Sequence, residues 1–438
     1  MTRKLFGTDG VRGVAGEALT AELALALGRA ATYESAAARP RVLLLRDTRE
    51  SGGMLESALA AGITAAGGDI FVGGVLPTPA APLLIGRYGF DLGAVISASH
   101  NPYRDNGIKF FGPDGFKLSD DAELAIEERL EAPAPAVDHI GRPRELHGQQ
   151  EDYLRELHSR FGGLDLSGLD VVLDCAHGST YRVAPEIFRR LGASPTVIAD
   201  RPDGTNINDR CGSTHIDALG ETVRSGGHDL GFAFDGDGDR MLAVDRHGVV
   251  VDGDELIALA VLHLRAGGRL PGNGVVVTVM TNIGFHHAME AAGVEVATTK
   301  VGDRYVLEEL RARGWALGGE QSGHIIDMNF VPSGDGIAAA LLTLEALAGD
   351  DLADRHAMKK LPQRLINVRV ADRDRAMSDD ALASAVAAES AALDGRGRVL
   401  VRPSGTEQLV RVMVEAPEAG EADAVAGRLV AVVPGALT

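Results

Sequence analysis

Short runs of valine, leucine and isoleucine alternate along the chain with longer stretches rich in alanine, leucine and glutamate. The short runs are apolar throughout, which is typical of strands that are buried on both faces of a sheet. The longer stretches have the composition of helices. This alternation predicts an α/β protein with parallel-rich sheets. The predicted strands are RVLLLRD (41–47), LGAVISA (92–98), LDVVLDCA (169–176), DLGFAFD (229–235), MLAVD (241–245) and GVVVTVM (274–280).

A buried strand followed by a polar or glycine-bearing loop occurs three times, each time before a predicted helix. This repetition predicts three related α/β units, and the C-terminal residues predict a smaller α+β unit. Three features suggest where the units meet: a proline-rich stretch at 131–146, a helix with Asp254 as its N-cap, and a charged stretch near 366–380. We therefore predict domains at 1–152, 153–253, 254–366 and 367–438.

Composition narrows the class of protein. The chain has 438 residues and a formal net charge of −19, which disfavours nucleic-acid binding and means that a small anionic ligand needs a local cationic pocket. Cys175 and Cys211 are too few for a disulfide framework and suit a reducing cytoplasm as free thiols. The N-terminal residues lack the apolar core of a signal peptide, and no apolar stretch is long enough to span a membrane. We expect a cytoplasmic protein.

The segment DGDGDR follows a predicted strand and alternates aspartates with glycines. Because glycine lets the backbone curl, Asp235, Asp237 and Asp239 can converge, and clustered carboxylates repel one another unless a cation lies between them. We expect Mg²⁺ there. The segment begins like an EF-hand calcium loop, but Arg240 and Arg246 stand where that loop needs glycine and glutamate, which excludes it. The alternative is a solvated acidic turn.

A second polar stretch, ISASHNPYRDNGIKFF, opens directly from a predicted strand. If Ser99 carries a phosphoryl group, the phosphoserine supplies further oxygen ligands to the metal held by the aspartates. His100 and Lys109 are then local cationic or proton-handling groups, which phosphoryl transfer needs. The alternative is a polar turn in which Ser97 and Ser99 hydrogen-bond to the backbone and an Asn-Pro pair breaks the chain. For Ser97 we prefer this alternative.

The segment VRPSGTEQLVRVMVE contains a short loop between two predicted strands. Backbone amides near a glycine, hydroxyl groups and an arginine fork make a phosphate cradle, although the spacing is not that of a Walker P-loop. A plain hairpin with surface arginines is the alternative. The residues of the predicted cradle are Arg402, Ser404, Gly405, Thr406 and Arg411.

In GGEQSGHII, Glu320, Ser322 and His324 stand at every second position, so an extended segment would project all three to one side. A carboxylate with a hydroxyl suits sugar hydroxyl groups, and His324 could act as a general acid or base. The alternative is a solvated strand edge. In TKVGDRYV, Asp303 is the expected N-cap of the next helix, and in GTDGVRG, Arg12 either reaches the site or lies in a flexible turn.

These stretches together resemble the α-D-phosphohexomutase superfamily, and more closely its bacterial phosphoglucosamine mutases. The resemblance runs nearly the whole chain. It implies four domains around a central cleft, the first three being related α/β units. The motifs, in order, are FGTDGVRG, ISASHNPYRDNGIKFF, DGTNIND with CGSTH, FDGDGDR, KVGDRYV, GGEQSGH and RPSGTE.

The resemblance also implies a role for each motif. Ser99 is similar to the family's phosphoserine, and the three aspartates together with Ser99 resemble its Mg²⁺ ligands. Glu320 and Ser322 resemble the residues that bind sugar hydroxyl groups. The other implied catalytic residues are Arg12, His100, Lys109, Arg240 and His324, and the implied phosphate clamp comprises Arg402, Ser404, Gly405, Thr406 and Arg411.

The activity implied by the resemblance is the interconversion of glucosamine 6-phosphate and glucosamine 1-phosphate through a 1,6-bisphosphate, which supplies UDP-N-acetylglucosamine synthesis. A phosphoglucomutase, a phosphomannomutase, a Mg²⁺-dependent phosphosugar phosphatase and a non-catalytic phosphosugar sensor are the alternatives. The expected partners are a phosphosugar and, as in other members of the family, a second copy of the chain. Neither a nucleic acid nor a membrane is expected.

Overall fold

The protein is described by a computed structural model that covers residues 4–7, 9–133, 135–404 and 408–435. The chain divides into two compact bodies. The larger body comprises Met1–Val279 and Glu295–Arg355, and the smaller comprises Met280–Val294 and His356–Thr438. Within the described part of the chain, no helix has both the length and the apolar content that crossing a lipid bilayer requires.

The strands and helices are numbered in chain order. The strands are β1 (Phe6–Gly7), β2 (Gly10–Val14), β3 (Arg41–Arg46), β4 (Asp69–Val75), β5 (Leu92–Ile96), β6 (Asp105–Phe111), β7 (Pro143–Glu145), β8 (Val171–Asp174), β9 (Thr196–Ile198), β10 (Leu230–Phe234), β11 (Met241–Asp245), β12 (Val250–Val251), β13 (Gly274–Thr278), β14 (Glu295–Thr299), β15 (Leu317–Gly319), β16 (Ile325–Asp327), β17 (Gln363–Arg369), β18 (Arg398–Pro403) and β19 (Leu409–Glu415). The helices are α1 (Ala21–Tyr33), α2 (Gly52–Ala65), α3 (Ala80–Tyr88), α4 (Asp120–Glu131), α5 (Gln149–Phe161), α6 (Val183–Arg190), α7 (Asp217–Gly226), α8 (Gly253–Ala266), α9 (Ile283–Ala291), α10 (Asp303–Arg313), α11 (Gly336–Leu347), α12 (Arg373–Met377), α13 (Asp380–Leu393) and α14 (Ala419–Ala431).

The first sheet of the larger body has the strand order β1-β2-β6-β5-β3-β4-β7. Strand β3 pairs in parallel with β4 and β5, and every residue of β5 is buried. Leu27 of α1 and Leu59 of α2 join Leu44 of β3 in one hydrophobic cluster. The apolar strands are therefore buried because helices cover them, as their unbroken hydrophobic pattern requires.

The other two sheets of the larger body have the orders β12-β11-β10-β8-β9 and β14-β13-β15-β16. Their central strands β8, β10 and β13 are buried along their whole length and pair in parallel with a neighbour. Three antiparallel pairs arise where a short loop returns the chain beside the strand it has just left, from β5 to β6, from β10 to β11 and from β15 to β16. The sheets are therefore mixed, with parallel strands at their centres.

Helix α8 begins one residue before the predicted start, and its N-cap is Asp252, whose side chain accepts the N–H groups of Asp254 and Glu255. The prediction of Asp254 as the cap is therefore wrong. Asp254 lies in the first turn, where a carboxylate still interacts favourably with the helix dipole. Both aspartates suit the N-terminus of a helix, so local composition did not distinguish them.

The smaller body contains the antiparallel sheet β17-β19-β18 and the helices α9, α12, α13 and α14. Val410, Val412 and Val414 alternate along β19 and pack with Leu382 of α13 and Leu429 of α14. Every second residue of a strand lies on the same face, so these valines form the face of the sheet that the two helices cover. The C-terminal residues thus form the small α+β unit that the sequence predicts.

Candidate active site

The polar motifs lie in three short loops of the larger body that each join two antiparallel strands. The Ser99 loop joins β5 to β6, the aspartate loop joins β10 to β11, and the Glu320 turn joins β15 to β16. The first two loops meet, because Ser99 Oγ donates a hydrogen bond of 2.6 Å to Asp235 Oδ2. The structure therefore places the serine directly beside the acidic loop, although the two residues are 136 positions apart.

Asp235, Asp237 and Asp239 are all buried, and one oxygen of each lies within 4.8 Å of the others. Burial, together with repulsion from Asp239 and Asp237, raises the pKa of Asp235 well above its ordinary value. Asp237 Oδ1 is buried and accepts no hydrogen bond from any described residue. Converging carboxylate oxygens with an unused acceptor fit a hard divalent cation, because the cation removes the repulsion and uses the acceptor.

Glycines make this convergence possible. Gly238 has a φ of +72°, which a residue with a side chain rarely adopts. A Cβ atom on Gly236 would lie 2.6 Å from the carbonyl oxygen of Ser99. The glycines between the aspartates therefore shape the acidic loop and let the serine loop approach it.

Lys109, on β6, supplies a buried positive charge to the acidic loop. Its Nζ lies 2.8 Å from Asp237 Oδ2 and 3.0 Å from Asp9 Oδ2. Burial alone would lower the pKa of Lys109, but the carboxylates of Asp237, Asp9 and Asp239 outweigh it and raise that pKa above its ordinary value. Such an ammonium group stays charged near neutral pH, which suits it to neutralise a phosphoryl group and not to exchange protons.

His100 lies next to the serine, with Nδ1 3.3 Å from Ser99 Oγ. Burial and the nearby cations Arg240 and Arg12 lower the pKa of His100 to about 4. The imidazole is therefore neutral at physiological pH. It is a hydrogen-bonding neighbour of the serine and not the resident cation that the sequence allowed.

A cavity of about 410 Å³ opens beside the acidic loop. Arg12 and Arg240 supply cations to its wall, and Glu320 supplies a carboxylate. Such a wall suits a ligand that carries both anionic groups and hydroxyl groups. The cavity thus offers an anionic ligand two arginines, in a lining that also contains the carboxylates of Asp9, Asp239, Asp303 and Glu320.

Residues 320–324 form a tight turn and not an extended segment. The Glu320 N–H donates to the His324 carbonyl oxygen at 3.0 Å, so these two residues lie at the base of the turn, where both are buried and line the cavity. Ser322 is exposed near the tip. The three side chains therefore do not project together, because the chain reverses direction between β15 and β16 and loses the two-residue period of a strand.

His324 is held between carboxylates. Its Nδ1 lies 3.5 Å from Asp239 Oδ1, and its Nε2 lies 3.9 Å from Asp303 Oδ2. Burial lowers the pKa of His324, but the two carboxylates outweigh it and raise that pKa above its ordinary value. The Gly334 N–H, which donates to Nε2 at 3.2 Å, favours the neutral ring and opposes this shift.

Sequence patterns missed one charged group of this site, formed by Asp9, Lys117 and Asp303. Lys117 Nζ contacts the carboxylates of both aspartates, and both aspartates line the cavity. The prediction of Asp303 as a helix cap is wrong, because the N-cap of α10 is Gly302 and the Asp303 carboxylate pairs with Lys117 instead. Both aspartates lie in motifs singled out for other reasons, but no local signal marks a partner more than a hundred residues away.

The predicted phosphate cradle lies in the smaller body. Arg402 of β18 and Arg411 of β19 are paired directly opposite each other on adjacent strands. Burial and the Arg411 charge lower the pKa of Arg402. Ser404 is buried, and its carbonyl oxygen accepts a hydrogen bond from Arg373. Two facing cations repel each other, so a bound anion would relieve this pair. Gly405 and Thr406 lie outside the described residues.

Four sequence models of one family match consecutive parts of the chain. Their descriptions are phosphoglucomutase/phosphomannomutase alpha/beta/alpha domain I (residues 3–136), domain II (151–248), domain III (252–365) and the C-terminal domain (365–432). The prediction of three related α/β units and a different C-terminal unit is therefore confirmed.

Curated relatives agree over nearly the full length of the chain. The phosphoglucosamine mutase of Moorella thermoacetica is 51% identical over 95% of this chain and 96% of the relative. That of Desulforudis audaxviator is 53% identical over 94% of each chain, and that of Mycolicibacterium smegmatis is 50% identical over 97% of this chain and 98% of the relative.

Solved structures share the fold. A phosphoglucomutase/phosphomannomutase family protein from Burkholderia thailandensis has a TM-score of 0.83 and 25% identity, and the match covers 100% of this chain and 99% of that one. The N-acetylphosphoglucosamine mutase of Aspergillus fumigatus, in complex with GlcNAc-6P and magnesium, has a TM-score of 0.72 and 19% identity, with 99% and 96% covered.

Proposed function

Because the chain belongs to the phosphoglucosamine mutases of the phosphoglucomutase/phosphomannomutase family, we propose that it interconverts glucosamine 6-phosphate and glucosamine 1-phosphate by way of a phosphoryl group on Ser99. Phosphoglucosamine mutases interconvert hexosamine phosphates, and the chain is an isomerase of that kind. The particular sugar and the roles of the individual residues are the proposal. The product supplies UDP-N-acetylglucosamine synthesis in the cytoplasm.

The observation that carries the proposal is the contact between Ser99 Oγ and Asp235 at the edge of a buried carboxylate triad. A hydroxyl group in a plain polar turn has no need of three converging carboxylates. A phosphoserine does, because its own charge and that of a second phosphate group must be balanced by a cation held in place. The pairing of nucleophile and triad therefore favours phosphoryl transfer over the alternative of an acidic surface turn.

The triad residues fit Mg²⁺, since they offer only oxygen atoms and include a buried acceptor with no hydrogen bond from the described residues. Asp235, Asp237, Asp239 and phosphorylated Ser99 would hold the ion. When bound, it neutralises charge on the transferring phosphoryl group, which is worth several kcal/mol. Lys109 adds a second, permanent positive charge at the same carboxylates.

The cycle has two transfers. The bond from phosphorus to Ser99 Oγ breaks while a bond forms to O1 of glucosamine 6-phosphate, and the O1 proton passes to a nearby base, for which His324 and His100 are the candidates. The base passes this proton on to Ser99 Oγ. The 1,6-bisphosphate turns over, the bond from phosphorus to its O6 breaks while a bond forms to Ser99 Oγ, and the Oγ proton passes to O6, which leaves glucosamine 1-phosphate and phosphorylated Ser99. Holding both reactants in place contributes up to about 7–11 kcal/mol.

Each group of the cavity has a task in this cycle. Arg12 and Arg240 balance the charge of the phosphate groups, and Glu320 accepts hydrogen bonds from sugar hydroxyl groups in either orientation. Ser322, exposed on the same turn, would reach the sugar from the tip. Ser99 itself is 2% exposed, and low exposure suits a mutase, whose phosphoserine must be shielded from water, better than a phosphatase.

The distal phosphate clamp consists of Arg402, Ser404, Gly405, Thr406 and Arg411. We predict that Arg402→Ala raises KM for glucosamine 6-phosphate about tenfold to hundredfold, because a charge-assisted hydrogen bond to phosphate is lost. The control is Arg364→Ala, which removes an exposed arginine from the same sheet, 3.2 Å from Asp423. Steady-state kinetics of both variants checks the prediction, and an unchanged KM for Arg402→Ala would remove this residue from the clamp.

The proposed function is tested with the purified chain, phosphorylated beforehand with glucosamine 1,6-bisphosphate, together with Mg²⁺ and three substrates, the 6-phosphates of glucosamine, glucose and mannose. We expect the highest kcat/KM with glucosamine 6-phosphate and no stoichiometric release of inorganic phosphate. Faster turnover of either other sugar would overturn the substrate assignment. Steady release of inorganic phosphate would instead indicate the phosphatase, and no turnover at all would indicate a sensor.

The family resemblance also supports a homodimer, which light scattering of the purified protein would detect. We also propose domain boundaries after residues 152, 253 and 366. The family matches support them, because the second, third and fourth begin at residues 151, 252 and 365.

A further inference from the structure

Ser99 has an unusual backbone. Its φ is +53°, in the left-handed region that residues with a side chain avoid. Strain of this kind persists only where surrounding contacts over-determine the conformation, and it is often found at functional sites. We therefore expect contacts at both peptide groups of Ser99 to hold this conformation.

The carbonyl group of Ser99 is held by two side chains from different parts of the chain. Arg49 Nη2 donates to the Ser99 carbonyl oxygen at 2.9 Å, and Asn208 Nδ2 donates to the same oxygen at 3.0 Å. Both groups also donate to the carbonyl oxygen of Asn101, at 2.8 Å and 3.1 Å. Two donors thus grip two carbonyl groups of one loop.

The amide group of Ser99 is fixed from the opposite side. It donates to Ser97 Oγ at 2.9 Å, and Ser97 Oγ donates to Asp47 Oδ2 at 2.6 Å. The same Asp47 oxygen accepts Arg49 Nε at 2.8 Å, and neither side chain of this ion pair is exposed to solvent. Arg49 therefore closes a ring of hydrogen bonds around the serine, which holds both of its peptide groups.

Asn208 connects this ring to the sheet from which the aspartate loop emerges. It has a φ of +58°, and its own N–H donates to the Ala176 carbonyl oxygen at 2.9 Å in the loop after β8. Strand β8 pairs with β10, from which the aspartate loop emerges. Asn208 therefore fixes the position of the serine loop relative to the sheet that carries the triad.

We propose that Asn208 and Arg49 are positioning residues for the phosphoryl transfer, which hold Ser99 in its left-handed conformation so that Oγ faces the metal-binding carboxylates. The inference rests on the proposed role of Ser99 as the phosphoryl carrier. Neither residue touches the transferring group. Their effect is on alignment, and a misplacement of the reacting atoms by about 1 Å can lower a rate about 10²-fold.

The test is Asn208→Asp, which keeps the size of the side chain and its tolerance of positive φ but turns a carboxylate oxygen toward two carbonyl oxygens. We expect kcat to fall about 10²-fold, KM to stay within about twofold, and phosphorylation of Ser99 by glucosamine 1,6-bisphosphate, followed by intact mass, to slow in parallel. The matched control is Asn206→Ala in the same loop, whose amide group donates to the Arg201 carbonyl oxygen. We expect it to behave as the parent protein.

Asn208→Gly provides the second variant, since glycine also accepts the left-handed backbone and simply removes the donor. Arg49→Lys keeps the charge beside Asp47 but removes the planar fork, and it is expected to lower kcat as well. A kcat within twofold of the parent for both Asn208 variants overturns the proposal. So does a fall in kcat that is fully matched by loss of folded protein in a thermal melt.

Phosphorylation of the parent protein and of Asn208→Asp distinguishes the role of Ser99 from that of Asn208. If Ser99 is not the carrier, the parent protein gains no phosphate on Ser99 and Ser99→Ala keeps its turnover. If only the positioning role is wrong, the parent is phosphorylated on Ser99 and Asn208→Asp is phosphorylated at the same rate.

Discussion

Ser99→Ala is expected to lower kcat for hexosamine-phosphate interconversion by at least about 10⁴-fold, the scale of loss seen when a covalent nucleophile is removed. Alanine has no oxygen to carry the phosphoryl group, so the two half-reactions can no longer be connected. The remaining side chains still bind substrate, and KM should change little.

The fold should survive this substitution. Alanine meets the left-handed backbone at position 99 with the same steric cost as serine, and the hydrogen bonds of the Ser99 peptide groups do not involve the hydroxyl group. The measurements are steady-state turnover, a thermal melt, and intact mass before and after incubation with glucosamine 1,6-bisphosphate. The control, Ser57→Ala, removes an exposed serine hydroxyl from α2. Turnover near the parent rate in Ser99→Ala would refute the phosphoserine mechanism.

Asp237→Asn is expected to raise the Mg²⁺ concentration for half-maximal activity at least about tenfold to hundredfold, and to lower kcat by about 10³-fold at saturating Mg²⁺. The substitution removes one negative charge from a buried triad while keeping the size of the side chain. Lys109 loses its closest carboxylate but keeps Asp9 at 3.0 Å and Asp239 at 3.7 Å. The ammonium group therefore stays paired, and the loss should fall on metal binding more than on folding.

A second readout separates metal binding from activity. Mg²⁺ should raise the melting temperature of the parent protein and have a smaller effect on Asp237→Asn, because a ligand stabilises the folded state only in proportion to its binding. Asp121→Asn, which neutralises an exposed carboxylate at the start of α4, serves as the control. An unchanged Mg²⁺ response of both activity and melting in Asp237→Asn would contradict the assignment of the triad as the metal site.

Much of the fold and of the candidate site follows from local pattern. The strand of 241–245 has the predicted bounds, and the strands predicted at 41–47, 92–98, 229–235 and 274–280 begin within one residue of their predicted starts. Their unbroken apolar character required burial. Motifs at the ends of such strands were identifiable because closely spaced carboxylates, glycines and hydroxyl groups follow directly after an apolar run.

Other features depended on distant partners. The two-residue spacing of Glu320, Ser322 and His324 suggested a strand, yet β15 and β16 pair with each other and force a turn between them. Asp303 had the position of a helix cap, yet Lys117 engages its carboxylate from 186 residues away. Asn208 lies in DGTNIND, a segment that contributed to the resemblance alone, and nothing local shows that it grips the Ser99 loop.

Local sequence patterns predicted the alternation of strands and helices, the division into three α/β units and a smaller C-terminal unit, and the residue types from which the site is built. These properties depend on local hydrophobic periodicity and on the chemistry of single motifs. The contact of Ser99 with Asp235, the pairing of Lys109 with Asp237, and the hydrogen bonds of Arg49 and Asn208 to the Ser99 backbone exist only in the folded chain. The physical reason is that these contacts are a few ångströms long and join residues far apart in the chain, so their geometry exists only after the sheets have packed.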